Sequence, residues 1–581
     1  MFRLSGCLHL SLVLLAAAGP AVAQSAAQPA KVAGETTPTF KSGVNLVLVP
    51  VVVRDEAGRA IGNLRREDFE LFDKGKRQQI TKCGVETSRR TGAPATLASS
   101  PRVPAAEPPL ARNAQPFVRP NRYVAYVFDD VNLSFGDLAW VRDGAERNMR
   151  SLDATDRAAI FTTSGRVTLE FTDDHDKLHE ALSKLRPNPL ARETAQTCPT
   201  MTYYMADMIV NSGSTSGGAG ASALEAARRE AVVCAFLAES SPTDEESEAV
   251  KLARAVARRT LAAGNYETQV TIGTLKQIVR HMGAMPGRRT IVLLSPGFLT
   301  LPEFLPLVND VINFATRLNV TVNALDARGL YTDSLDIDKR ERDPRATQIE
   351  QQLARFSAVA ERQPLIALAD GTGGRLVERT NNIDNGLKQI ASAPEYVYML
   401  GFSPRDLRPD GAFHPLKVKL VAKEKFTVQA RRGYYASKLF ADPQEAEKVE
   451  IQQALFAPED MHDPAVEMRT EYFTSPGGSA ELDVLTHLDL HQLRLQKTGG
   501  RNANDLTVVA CVLDHNGAWV DGKRNTVKLR LRDQTLERVE NSGMTVKTRF
   551  TVPTGTYTVR AVVRDANGDL MSAESGVVEI Q

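Results

Sequence analysis

Between residues 122 and 400, short apolar runs alternate with stretches whose apolar residues recur every three or four positions, and this alternation limits the fold more than any other feature. Tyr123–Phe128 is a run with no polar face, and Leu138, Val141, Ala145, Met149 and Leu152 then mark one side of a helix. Arg157–Phe161, Val167–Phe171, Thr290–Leu294 and Val320–Leu325 repeat the strand signal, with a helix expected over 303–318. Arg375–Val377 and Tyr396–Leu400 close the series. Strands that are apolar on both faces and separated by helices predict a mostly parallel sheet covered on both sides, an α/β fold.

Two stretches interrupt the pattern. The first, near 190–265, is polar, and Ser212–Ser222 within it is rich in Gly, Ser and Ala. Ser241, Pro242, Asp244, Glu245 and Glu246 then form a helix-start signature, with a capping hydroxyl, a proline suited to the first turn and acids at the positive end of the dipole. The second, near 331–362, is highly charged and expected to be helical near its end.

On either side the pattern becomes β. Residues 44–90 read as strands, with Pro50 demoting the middle of Val44–Val53 to an edge or bulge. Forty-odd residues bury too little apolar surface to stand alone. They are expected to pair with 403–437, which would place the α/β segment, 121–402, inside a β module rather than beside it. Residues 91–120 carry seven prolines and read as a linker. A helical linker is expected over 438–464 and a second β module over 465–581. Three strand ends share V-x-D-x-x-G, at Asp55 and Gly58, Asp514 and Gly517, and Asp565 and Gly568. In such a turn Asp bonds backbone ahead of it and Gly supplies the positive φ. These hairpins suggest immunoglobulin-like sandwiches at both ends.

The chain begins with Arg3, an apolar run over Leu8–Ala18 and the small-x-small tract Ala21-Val22-Ala23, the form of a cleavable export signal ending at residue 23. Residues 24–43 would follow as a flexible N-terminus. Leu4–Cys7 imitates a lipoprotein box but precedes the apolar run instead of following it. No later stretch is apolar for long enough to span a bilayer, so the chain is expected to be periplasmic or extracellular. Export permits disulfides, and Cys198 and Cys234, which flank one polar segment, are the expected pair; Cys511, inside Val508–Leu513, reads as a core thiol. With 71 basic and 70 acidic residues, the composition excludes a nucleic-acid binder driven by a basic surface.

The chemistry to weigh follows the first α/β strand: Asp129-Asp130-Val131-Asn132-Leu133-Ser134. Ligands of open α/β sheets bind beyond the carboxyl ends of strands. Here the sequence resembles the von Willebrand factor A fold, whose metal site opens with D-x-S-x-S; Asp130-x-Asn132-x-Ser134 matches with Asn for the first Ser. The resemblance is closer to the branch of von Willebrand factor A-related secreted bacterial proteins of the acidobacterial type. It is carried by Val51–Asp55 with Leu64 and Asp68-Phe69, by Phe128–Asp130, Pro286–Arg289, Asp326–Leu330 and Thr372–Arg375, and by Leu400–Pro404 and Ala430–Tyr434.

The resemblance implies a Rossmann-like domain, a protein partner met at the sheet's carboxyl edge, and a weak site for Mg²⁺ or another divalent cation. The ligands would be Asp130, Asn132 and Ser134, with Asp129 and either Thr271 or Thr274 as further candidates. Pro296 stands where the family places a second Asp, which makes the site degenerate. A structural alternative is that Asp130, Asn132 and Ser134 brace the loop and cap the next helix.

Other constellations are weaker. His175 and His179 lack the zincin Glu and a third ligand. Gly371-Thr372-Gly373-Gly374 lacks a phosphate-loop spacing, and Gly401–Arg405 lacks the closing Gly of a nucleophile elbow. With no catalytic set in view, the expected function is an exported protein-binding module, with a cell-envelope hydrolase or a structural scaffold as alternatives.

Overall fold

The computed structural model describes residues 47–56, 58–87, 120–189, 198–211, 218–237, 247–329, 344–392, 394–404, 412–421, 426–436, 443–456, 460–475, 478–568 and 570–580. All belong to the compact unit Asn45–Gln581. The expected export signal, the flexible N-terminus, most of the proline-rich linker and residues 330–343 lie outside them. The molecule is mixed α/β, with one mixed sheet and several antiparallel sheets.

The mixed sheet has six strands, ordered Leu376–Val377, Val320–Asp326, Arg288–Ser295, Arg122–Phe128, Asp156–Thr162 and Thr168–Thr172. Numbered along the chain, that order is 6-5-4-1-2-3. Every neighbouring pair is parallel except the last, where Asp156–Thr162 meets Thr168–Thr172 antiparallel. Arg122–Phe128 is buried throughout because both faces are covered. Tyr123, Ala125 and Val127 pack with helices Glu248–Met282, Leu305–Arg317 and the end of Pro344–Thr372. Val124, Tyr126 and Phe128 pack with Phe135–Met149, His175–Ser183 and Ile383–Ala391.

The two interruptions meet. Helices Tyr203–Asn211 and Ala219–Cys234 pack against the first half of Glu248–Met282, and Met205, Ala223 and Ala226 share a small core with Leu353 of Pro344–Thr372. Cys198 is disulfide-bonded to Cys234. Ser241–Glu246 lie outside the described residues; the cap of the long helix is Ser247, whose hydroxyl accepts the Val250 N–H. The second charged stretch does not end its helix at 362. That helix runs on to Thr372, because Leu365 and Leu368 continue its apolar stripe onto the sheet.

Two four-stranded antiparallel sheets share one core. The first is ordered Thr427–Ala430, Val47–Arg54, Tyr396–Phe402 and Ile80–Thr87; the second is Gly433–Tyr435, Phe413–Leu420, Phe69–Asp73 and Lys76–Gln78. Val49, Val51, Val53, Phe69, Leu71, Tyr398, Leu400 and Phe402 fill the space between them. Tyr396–Phe402 therefore belongs here and not to the mixed sheet, a correction to the expectation from its apolar run. Its neighbours on both sides are antiparallel, and the sixth position of the mixed sheet is taken by the two-residue strand Leu376–Val377. Pro50 pairs with Met399 on one side only, since Thr427–Ala430 begins pairing at Val51. The missing N–H thus costs no ladder bond.

Beyond these, Val466–Ser475, Ser479–Leu488 and Met544–Pro553 form a three-stranded sheet. It packs on a larger one built around Arg501–Asp514, Gly555–Asp565 and Leu570–Ile580. Helix Pro443–Leu455 covers the opposite face of the larger sheet through Ile451, Ala454 and Leu455. Cys511 is a free thiol in that layer, and burial pushes it up to about 12. The turn Asp514–Gly517 touches the amino ends of the mixed sheet. Arg157 donates to the His515 carbonyl at 3.3 Å, and a Cβ on Gly517, at φ +83, would meet the Tyr123 hydroxyl. Among the described residues no helix is long and apolar enough to cross a membrane.

Candidate functional site

The strand order reverses between Arg122–Phe128 and Arg288–Ser295, so the crevice of the mixed sheet opens where Asp129, Asp130 and Ser295 emerge. Asp129 is fully buried and Asp130 is 2% exposed. Two buried carboxylates side by side require donors, and the neighbouring strand ends supply them. The Thr163 hydroxyl lies 2.8 Å from Asp129 Oδ1 and 3.2 Å from Asp130 Oδ1. The Ser295 hydroxyl donates to Asp129 Oδ2 at 2.6 Å. Ser164 donates twice to Asp130, from its N–H at 2.9 Å and its hydroxyl at 2.6 Å.

Burial raises the Asp129 carboxyl to about 6; the Ser295, Thr163 and Asn132 donors pull it back, and the charge of Asp130 adds a further rise. Asp130 is also raised, by burial first, against its bonds from Ser164 and Thr163. The Thr163 proton can serve only one of the two acids at a time.

The residues singled out as cation ligands are placed differently from one another. Asn132 turns its amide onto Asp129, with Nδ2 at 2.9 and 3.0 Å from the two carboxylate oxygens. Ser134 caps helix Phe135–Met149, accepting the Asp137 N–H at 3.2 Å and donating to its carboxylate at 2.7 Å. Of the proposed set, Asp129 and Asp130 share the Thr163 hydroxyl and Asn132 joins Asp129, while Ser134 is turned to its helix. Thr271 and Thr274 lie within helix Glu248–Met282 rather than on a loop, and the Thr271 hydroxyl is buried with no bonding partner among the described residues. The donor set therefore does not fit a cation held by Asp130, Asn132 and Ser134. Among the described residues no three His, Cys, Asp or Glu side chains cluster as a metal group would.

The hydroxyls that do face the acids, Thr163, Ser164 and Ser295, were not among the sequence candidates. The sequence carried no signal for them: it is the parallel register, Phe128 beside Thr162 and Leu294, that sets the next residues of each strand side by side. Next along the sheet, Arg328 closes the end of Val320–Asp326 by two bonds to Asp326, at 3.0 and 2.9 Å. The loop at Pro296 is fixed by Gly297, whose φ of +92 and close approach to the Glu361 carbonyl exclude a side chain.

Chemically this is a hydroxyl-bridged acid pair without a nucleophile–base set. Ser164 faces a carboxylate, and no described histidine bond reaches it. His175 is exposed, and His179 bonds Glu146 at 2.8 Å on the surface.

No family model matches the chain, and no curated protein matches it. Among solved structures, a β-glucuronidase from glycoside hydrolase family 2 aligns at 15% identity over 20% of this chain and 11% of that one, with a TM-score of 0.15. Dimeric latent PorU from Porphyromonas gingivalis aligns at 16% identity over 33% of this chain and 14% of that one, with a TM-score of 0.12. Each alignment spans a small part of the other protein.

Proposed function

We propose that the chain is an exported protein-binding module, in which a von Willebrand factor A-like, Rossmann-like domain meets a protein partner at the carboxyl edge of its sheet. In this reading the flanking immunoglobulin-like sandwiches act as a stalk. The observation that carries it is the reversal of strand order beside Asp129 and Asp130, with an antiparallel strand at one edge of the sheet. The amino ends of the same strands rest on Asp514–Gly517, which leaves the carboxyl edge as the side for a partner. Phe135, at the start of the helix after the acid pair, is 72% exposed and offers an apolar anchor there. Binding is independent of a divalent cation in this reading, since Asn132 and Ser134 are bonded within the chain.

A photo-crosslinking residue at Phe135, with Phe473 of the far sheet as control, tests it in the envelope of the producing cell. The expected result is one discrete protein adduct from position 135 that survives a chelator. Loss of the adduct with chelator would sink the metal-independent form, and identical patterns from both positions would leave only a scaffold. N-terminal sequencing of the mature chain should begin at Gln24.

A further inference from the structure

A cleft of about 510 Å³ lies between the turn after strand Val47–Arg54, the start of Thr427–Ala430, the loop before Leu376–Val377 and helix Ile383–Ala391. Arg54 and Arg375 both line it, with Gln389, Phe426, Asp55 and Glu56. We propose that this cleft binds an organic monocarboxylate, its two oxygens taken by the Arg54 and Arg375 guanidiniums and its apolar body laid on Phe426.

Three observations carry the assignment. Arg54 Nε and Arg375 Nη1 are buried N–H groups with no bonding partner among the described residues, one from each arginine on the same cleft. A buried donor left unmade is costly, and a ligand acceptor that reaches it relieves that cost. The side chain of Arg54 and the backbone of Arg375 are held in place by other atoms. Arg54 Nη1 donates to the Gly58 carbonyl at 2.9 Å, and the Arg375 backbone N–H donates to Asn323 Oδ1 at 2.8 Å. Their charges also oppose each other: burial first and Arg375 second hold the Arg54 guanidinium below its ordinary value, with Glu395 acting the other way. An anion between them removes that repulsion.

The remaining lining selects the class of anion. Asp55 accepts from Arg59, whose N–H and Nε donate to it at 2.8 and 2.9 Å. With Glu56 it puts negative charge on the wall, which disfavours a doubly charged phosphate relative to a singly charged carboxylate. Phe426 supplies apolar surface, and the volume falls within the range of about 300–1,000 Å³ usual for small-molecule sites. The assignment does not depend on the binding reading of the carboxyl edge.

The test is fluorine NMR of the full mature chain with a fluorinated benzoate, its neutral amide and the corresponding aryl phosphate. Saturable broadening of the benzoate, none of the amide, and weaker binding of the phosphate are expected. Arg54→Gln and Arg375→Gln should each weaken benzoate about tenfold, the worth of a charge-assisted bond. Arg59→Gln should not, and Arg375→Lys keeps the charge while giving up the fork. Thermal melts confirm that each variant is folded. No broadening at about 20 mM, well beyond millimolar affinity, would overturn the proposal. So would equal binding of the amide, tighter binding of the phosphate, or affinity unchanged in folded Arg54→Gln and Arg375→Gln.

Discussion

The mixed sheet and the split sandwich solve the same burial problem in opposite ways. Strands of the mixed sheet come from one continuous segment and, apart from the edge strand Thr168–Thr172, are largely buried on both faces, as in Arg122–Phe128. Strands of the sandwich come from both sides of that segment. Val47–Arg54 is caught between Tyr396–Phe402 and Thr427–Ala430, and only every second residue along much of it is buried. The first kind of sheet carries its own partners in sequence order; the second has none until the chain returns. A self-contained layer should therefore tolerate loss of its flanks, and a shared layer should not.

The sharpest way to break this comparison is to separate the pieces. Residues 120–392 expressed alone should give a cooperative melt, and 47–87 alone should give the circular dichroism of an unfolded chain. A folded 47–87 fragment would remove the distinction. Next, Leu293→Ala, in a strand shared by both faces, should cost about 2–5 kcal/mol in denaturant titration.

The disulfide should separate the helical layer from the sheet beneath it. Cys198 and Cys234 close a loop of 36 residues, worth about 3–4 kcal/mol by chain entropy. Hydrogen exchange after reduction should lose protection in 203–234 while Arg122–Phe128 stays protected. Peptide mapping without reduction should recover the two cysteines together.

Smaller effects probe the acid pair. Asp129 has its folded value raised from 3.8 to about 6, so the native state holds the proton more tightly than the unfolded state does. Its contribution is fully present below 3.8 and is lost as pH rises towards about 6, on the order of 2–3 kcal/mol. Asp129→Asn should flatten that slope relative to wild type. Ser134→Ala should cost about 1 kcal/mol as a lost helix cap. If Ser134 were a cation ligand instead, wild type alone would gain melting temperature on adding Mg²⁺; no such gain is expected.

The same contrast explains what could be read in advance. The run Tyr123–Phe128 marks its strand because burial on both faces leaves no polar positions to blur it, whereas the edge run Val167–Phe171 keeps Thr168 and Glu170 exposed. Tyr396–Leu400 has the same look and a different home, since an apolar run tells burial but not direction of pairing. Thr163 and Ser164 were invisible because a hydroxyl after a strand means little until the register places Asp129 and Asp130 beside it. Asn132 and Ser134 have the spacing of ligands, but spacing does not say which way a side chain turns. The V-x-D-x-x-G repeat was legible as turns. What it could not show is that Gly517 sits against Tyr123 and that Asp55 and Gly58 border a cleft.

The split sandwich also sets an order of assembly. The Leu64 N–H donates to the Tyr398 hydroxyl across 334 positions of chain. Closing a flexible loop of that length costs about 3 kcal/mol more than closing one of about ten residues. Once the mixed sheet has formed, most of that loop is already fixed, which shortens the closure that remains. The sandwich should thus be the last part to form. Until then Val47–Arg54 and Ile80–Thr87 carry open strand edges, the form in which a chain is most prone to pair with another copy of itself. Slow folding of the middle would be felt first at the two ends, as aggregation rather than as loss of the sheet.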